Sequence, residues 1–165
     1  MHVENAPLDV VGFAWRLGAT LFFVLLNGFF VAAEFALVKV RGPRVKELAD
    51  QGVGGAKRIN HILGHLDLYL SACQLGITIS SLVLGALGEP AVSRLLIALA
   101  GAAGLDVANA EWVSWLSIGI AFAIITILHM TVGEQAPKMW ALERSESTAI
   151  ATGGVLYVFT LVFRP

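Results

Sequence analysis

Several side chains that carry ligand oxygens lie inside long apolar stretches of this sequence. Asn27 falls in the first stretch, and Gly133 and Glu134 fall in the third. The second stretch carries a polar and small-residue cluster made of Gln74, Gly76, Thr78, Ser80, Ser81 and Gly85. Amide, hydroxyl, carbonyl and carboxylate oxygens are the ligands that hard cations prefer. The pattern therefore indicates a site for Mg²⁺, Ca²⁺ or Na⁺ and disfavours zinc and copper.

The third stretch contains a local signal for an opened helix. Pro137 has no N–H and its ring clashes with the carbonyl of Gly133, so the helix is predicted to kink or open between these residues. Opening frees backbone carbonyls beside the Glu134 carboxylate, and such a backbone is tolerated in a membrane only when it is buried in protein or faces a cavity. The alternative is a simple proline kink in which Glu134 pairs with Lys138 at i, i+4.

The other polar residues also have structural explanations. Asn27 would serve equally as an interhelical hydrogen-bond partner, and Glu34 as the partner of a nearby basic residue. The hydroxyls of the second stretch can return hydrogen bonds to their own helix. His129 has no second histidine or cysteine at ligand spacing, so it is interpreted as a packed histidine and not as a transition-metal ligand.

The elements that must hold these residues are membrane helices. Hydrophobic residues make up 57% of the chain and charged residues only 14%, against about 25% charged in soluble domains. We predict an all-α integral membrane domain over 1–165, with three spans at about 10–40, 68–100 and 112–140, since each exceeds the roughly 20 residues that cross a bilayer. An amphipathic juxtamembrane helical segment is predicted at 41–67. The apolar segment at 148–165 is shorter, and either lies at the interface or is part of a span.

The distribution of basic residues predicts the orientation. Six of them lie between the first two spans: Lys39, Arg41, Arg44, Lys46, Lys57 and Arg58. The loop at 101–111 has none, so the positive-inside rule places the N-terminus outside and the C-terminus in the cytoplasm.

The first ten residues lack the basic start of a signal peptide. A net charge of −1 gives no indication of a nucleic-acid partner, and the single cysteine, Cys73, excludes a disulfide within the chain.

Four motifs in this order resemble the transmembrane domain of the CorC / cyclin M (CNNM) magnesium transporters. They are NGFFVAAEFAL at 27–37, QLGITISSL at 74–82, GALGEP at 85–90 and GEQAPK at 133–138. The resemblance covers nearly the whole chain, from about residue 10 to residue 165. Asn27 stands where the family often has serine, and Ala33 also replaces a serine that is common in related chains.

The resemblance implies a homodimer of three-span subunits in the plasma membrane that exports Mg²⁺, with Na⁺ as the coupling ion. Carried over by motif, the Mg²⁺ ligands are Asn27, Ser81, the Gly133 carbonyl and Glu134. Ser80 and Thr78 are further candidates if the second span is aligned one turn away, and Glu34 would line the cytoplasmic entry. The family normally continues into cytoplasmic CBS modules, which this chain lacks, so ATP is expected to act only through those absent modules.

Two other functions fit less well. A non-transporting membrane anchor or Mg²⁺ sensor would use the same site to regulate attached domains. An intramembrane enzyme is disfavoured, since the spans offer no His-Glu-x-x-His pair and no Ser-His or paired-aspartate arrangement.

The depth of Glu134 in the membrane leaves one question open. Counted from the ends of the spans, Glu134 lies a turn or two nearer the cytoplasm than Asn27. Unless tilt or the break at Gly133 and Pro137 closes this gap, Glu34 is the better partner for Glu134.

Overall fold

The computed structural model describes residues 10–104 and 111–163, and within these ranges the chain is helical without any β-strand. The helices are α1 (Val10–Lys39), α2 (Gly42–Asp50), α3 (Ala56–Leu63), α4 (Leu66–Ala102), α5 (Glu111–Leu128), a π-helical segment (His129–Gln135), α6 (Ala136–Glu143) and α7 (Ser145–Val162). Most of the loop used for the orientation prediction, together with residues 1–9 and 164–165, lies outside the described residues.

Four of the described helices are long and apolar enough to cross a membrane. They are Val11–Lys39, Leu66–Ala102, Trp112–Glu143 and Ser145–Val162, and the first three coincide closely with the predicted spans. The fourth has 18 residues, which is about 27 Å of helix against a hydrocarbon core of roughly 30 Å. An all-helical membrane domain is therefore confirmed, whereas the count of three spans stays a prediction beside four helices that meet the criterion.

Helix α1 is the centre of the bundle and packs against α4, α6, α7 and the π-helical segment. Its small residues allow close approach: a Cβ on Gly28 would lie 2.9 Å from Pro137 Cγ. On another face of α1, the ring of Phe30 lies against Gly76 of α4, where an added Cβ would be 2.6 Å from the ring. These two contacts bring the first span against both the second and the third span. Asn27, which precedes Gly28, contacts both of them.

The segment between α1 and α4 forms two short helices separated by a glycine turn. Gly52 and Gly55 have φ values of 78° and 86°, in the left-handed region that favours glycine. Val45, Ile59 and Ile62 are buried, while the basic side chains of α2 and α3 are exposed. Helix α7 packs onto this segment, with Gly153 in close contact with Ile59 of α3.

Candidate cation site

The backbone of the third span widens where the sequence predicts an opening. Residues His129–Gln135 are π-helical, and Pro137 follows in the first turn of α6. In an α-helix the carbonyl of Gly133 would accept a hydrogen bond from residue 137, but proline has no N–H to donate. A π-helical turn accommodates this change of register without breaking the helix, and such turns occur frequently at functional sites.

Asn27 connects the three long helices at this level. Its side chain is 0% exposed, and Nδ2 donates a hydrogen bond of 3.0 Å to the carbonyl oxygen of Gly133. Its Oδ1 accepts a hydrogen bond of 3.3 Å from the Ser81 hydroxyl on α4. Asn27 and Gly133 are therefore at the same depth, so the predicted offset between the first and third spans is closed at this contact.

His129 and Glu134 complete the group. Ser81 Oγ lies 3.4 Å from His129 Nε2, and the same nitrogen lies 3.4 Å from Glu134 Oε1. The side chains of His129 and Glu134 are 20% and 42% exposed. A continuous polar chain thus runs from the Gly133 carbonyl through Asn27, Ser81 and His129 to Glu134. We call these five residues the polar cluster.

The alternative partner of Glu134 lies elsewhere. Lys138 Nζ is 4.7 Å from the ring centroid of Phe35 on α1, a cation–π contact. Among the described residues no ion pair joins Glu134 to Lys138, and the group near Glu134 Oε1 is Nε2 of His129. The i, i+4 pairing considered from the sequence is therefore not formed in this structure, and the carboxylate faces the polar cluster.

The structure brings together Asn27, Ser81, Gly133 and Glu134 but leaves the three secondary candidates outside the polar cluster. Thr78 is exposed and donates to the carbonyl oxygen of Gln74 in its own helix, at 2.8 Å. Ser80 is 0% exposed, and its Oγ has no hydrogen-bond partner within the described chain. Glu34 is partly buried and lies seven residues from Asn27, about 10 Å along the helix axis.

His129 is the member of the polar cluster that the sequence interpretation missed. In an α-helix a residue and its fifth neighbour lie on different faces, so the spacing from His129 to Glu134 gave no reason to pair them. In a π-helix the hydrogen bonds run from i to i+5, and residues at this spacing come together. A histidine five residues before the glutamate of a Gly-Glu-x-x-Pro sequence was the available signal.

The chemistry of the polar cluster is that of an oxygen-rich site. Asn27 Oδ1, Ser81 Oγ, the Gly133 carbonyl and the Glu134 carboxylate supply neutral oxygens and one negative charge from three helices. Among the described residues no group of three or more His, Cys, Asp or Glu side chains is arranged to hold a metal ion. This donor set matches a small hard cation better than the multi-ligand sites of zinc.

Comparisons with known proteins show the family of the chain. Residues 18–165 match the family described as the cyclin M transmembrane N-terminal domain. The chain is 42% identical over 142 residues to UPF0053 protein YhdT of Bacillus subtilis, covering 86% of this chain and 30% of that protein. It is 38% identical over 152 residues to uncharacterized protein Rv1841c of Mycobacterium tuberculosis, covering 90% of this chain and 42% of the relative.

The chain spans about a third of the length of the curated relatives that it matches best in these comparisons, with shares of 30%, 28% and 31% for three proteins of Bacillus subtilis. The matched part is the helical membrane region described above, including all five residues of the polar cluster. With a family match over most of its length, this chain belongs to the CorC / cyclin M (CNNM) family and represents its transmembrane domain.

Proposed function

We propose that this membrane domain binds Mg²⁺ as a transported substrate and exports it in exchange for Na⁺, and that it is not an enzyme. The observation that supports this proposal is a chain of polar contacts between three long apolar helices. Asn27 bonds to Ser81 and to the Gly133 carbonyl, and Glu134 is linked to them through His129. Membership in a family of magnesium transporters agrees with it.

The energetics favour a cation at this point. A carboxylate near the bilayer centre costs at least about 2.5 kcal/mol even on lenient insertion scales. The Glu134 side chain is 42% exposed, so protein does not enclose it and an ion has room to approach the carboxylate. A divalent cation would offset the cost of the charge, and the neutral oxygens of Asn27, Ser81 and Gly133 would replace part of its hydration shell.

We further propose that the π-helical segment is the element that moves during transport. It lies between two regular helices and ends at Pro137, where the main-chain hydrogen bonding changes register. The contact between Gly28 and Pro137 places this segment directly against α1. A small change in its winding would separate Glu134 from Asn27 and Ser81, which opens the polar cluster to one side and closes it to the other.

For topology we propose three spans, with the N-terminus outside and the C-terminus in the cytoplasm of a plasma-membrane protein. Helix α7 packs against the short helix α3 as well as against α1 and α4. Its start is near α2, where Arg44 Nε is 3.6 Å from Glu146 Oε2. Farther along, the ring centroid of Tyr157 is 6.2 Å from that of His61 in α3. This position suits a juxtamembrane helix beside the amphipathic segment 41–67.

A fusion experiment tests the number of spans. Green fluorescent protein joined after residue 165 is expected to fluoresce in a bacterial host, and alkaline phosphatase at the same position is expected to be inactive, because three spans from an outside N-terminus end in the cytoplasm. Alkaline phosphatase joined after Gly104, at the end of the described part of α4 and its turn, should be active. Active phosphatase after residue 165 would instead establish four spans.

A homodimer in the bilayer completes the proposal. Large apolar side chains on several helices are exposed, among them Trp15, Phe22, Leu25, Trp112 and Trp115. In a membrane these faces contact lipid or a second subunit. ATP would regulate the transporter only through CBS modules of the kind that the family normally carries beyond this membrane domain.

Flux measurements separate transport from sensing. In liposomes that contain the purified chain and are loaded with Mg²⁺ and a Mg²⁺-sensitive dye, an inward Na⁺ gradient is expected to accelerate Mg²⁺ loss. An equal gradient of choline, which replaces Na⁺ without fitting the site, is the control. Mg²⁺ binding without flux would favour the anchor or sensor function, and flux that ignores Na⁺ would contradict the exchange mechanism.

A further inference from the structure

We propose that His129 is a specificity-determining residue of the cation site, whose Nε2 acts as a ligand and favours divalent transition ions such as Mn²⁺ over Mg²⁺. The proposal rests on the proposed function, because it assigns one more ligand to the same site. No part of the sequence pattern that predicted the oxygen ligands includes this nitrogen.

The distances place Nε2 where a neighbouring ligand would be. Two ligands at right angles around an octahedral ion of about 2.1 Å bond length are about 3 Å apart. Nε2 of His129 lies 3.4 Å from Ser81 Oγ and 3.4 Å from Glu134 Oε1. Ser81 Oγ and Asn27 Oδ1 are 3.3 Å apart. The nitrogen therefore has the same spacing within the polar cluster as the oxygens have among themselves.

The packing of the ring keeps the nitrogen at this position. His129 is held against Gly133, since a Cβ on that glycine would be only 2.9 Å from His129 Cδ2. The π-helical winding fixes His129 and Glu134 on the same side of the third span. With a side chain only 20% exposed, the imidazole is directed into the bundle and toward the polar cluster.

Two hydrogen-bond acceptors lie near Nε2 of His129 in this structure. Ser81 has one hydroxyl hydrogen and donates it to Asn27 Oδ1. The Ser81 oxygen and the Glu134 carboxylate are then acceptors, and the tautomer with hydrogen on Nε2 satisfies both. As a ligand, Nε2 would offer the ion its lone pair, which is available in the tautomer that carries its hydrogen on Nδ1.

A nitrogen ligand changes which ions the site prefers. Mg²⁺ binds oxygen almost exclusively, whereas first-row transition ions gain affinity from imidazole in the order that begins with Mn²⁺. One imidazole among several oxygens leaves Mg²⁺ binding in place and adds affinity for Mn²⁺. A site made only of oxygens would lack this preference.

Pulsed electron paramagnetic resonance of bound Mn²⁺ tests the nitrogen directly. The chain has four histidines, at positions 2, 61, 65 and 129. In a variant that carries His2→Gln, His61→Gln and His65→Gln, and that is purified without a histidine tag, His129 is the remaining imidazole. We expect a ¹⁴N coupling to Mn²⁺ that becomes a ¹⁵N coupling when the protein is labelled with ¹⁵N-histidine.

Competition titrations provide the second readout. His129→Gln is expected to remove the coupling and to lower Mn²⁺ affinity about tenfold more than Mg²⁺ affinity. A purely structural role would lower both affinities equally, so an unchanged Mn²⁺ to Mg²⁺ ratio overturns the assignment. Absence of the coupling in the variant that retains only His129 also overturns it, whether or not His129→Gln folds. If the wild type binds neither ion, the proposed function itself fails.

Discussion

Replacing Glu134 with alanine is expected to lower Mg²⁺ affinity about a hundredfold. Glu134 supplies the negative charge of the polar cluster, and the other ligands are neutral oxygens. A divalent ion removed from water needs a charged partner, and loss of that partner leaves the ion uncompensated in a medium of low dielectric. Isothermal titration calorimetry of the purified chain in detergent measures the change directly.

Two further variants separate charge from position. Glu134→Gln keeps an oxygen at the same place and is expected to retain more affinity than Glu134→Ala. Glu143→Ala removes the same charge from the exposed end of α6 and is expected to bind as the wild type does. Equal Mg²⁺ affinity in Glu134→Ala and the wild type would exclude Glu134 from the site.

Thermal unfolding provides a check that does not depend on the calorimeter. A ligand that binds only the folded state at a hundred times its dissociation constant adds about 2.7 kcal/mol to the free energy of unfolding. Mg²⁺ should therefore raise the unfolding temperature of the wild type and of Glu143→Ala. The same concentration should stabilise Glu134→Ala by only about 0.4 kcal/mol, because a site that binds a hundredfold more weakly is then half occupied. Removal of a partly buried carboxylate need not destabilise the ion-free protein.

The sequence predicted the helical membrane architecture and the residues that converge, because both follow from the cost of polar groups in lipid. Long apolar stretches must be helices there. A side chain such as Asn27, fully buried in the structure, must then find a partner inside the protein. The missing N–H of Pro137 similarly marked the Gly133 carbonyl as available, and in the structure this carbonyl accepts from Asn27.

Other features depend on contacts that no local pattern encodes. The pairing of His129 with Glu134 follows from π-helical winding, which neither residue specifies alone. The cation–π contact of Lys138 with Phe35 depends on how the third span crosses α1. The packing of α7 depends on Gly153 meeting Ile59 of α3, a contact that the hydropathy of α7 does not predict.

Gly133→Ala is the second substitution with a large expected effect, and it acts through space and not through loss of a ligand atom. A Cβ at this position would lie 2.9 Å from His129 Cδ2, 3.4 Å from Asn27 Nδ2 and 3.5 Å from the carbonyl oxygen of Val24. The distance to the Val24 carbonyl is an ordinary van der Waals contact, so the backbone of α1 can stay in place, whereas the imidazole must shift. The methyl group therefore displaces the His129 ring from Ser81 and Glu134 and crowds the Asn27 amide that donates to Gly133.

Crowding at Gly133 lowers the stability of the folded protein, whereas the higher helix propensity of alanine raises it. Gly133 is not among the described glycines with a positive φ, so alanine can adopt its backbone conformation. By helix propensity alone, alanine would stabilise the helix by about 1 kcal/mol. Overpacking of a tight contact costs about 1–3 kcal/mol and should dominate. We expect a lower unfolding temperature in detergent and a Mg²⁺ affinity reduced by about tenfold, since the displaced His129 ring no longer orients Ser81 and Glu134.

Gly119→Ala is the matched control, because it makes the same change in the same span. A Cβ on Gly119 has nothing within 4 Å in this structure. Propensity then acts alone, and the variant should be as stable as the wild type or slightly more stable, with unchanged Mg²⁺ binding. If Gly133→Ala behaved like Gly119→Ala in both measurements, the close packing of the π-helical segment against α1 would be wrong, and with it the arrangement that brings Asn27 and Glu134 into one site.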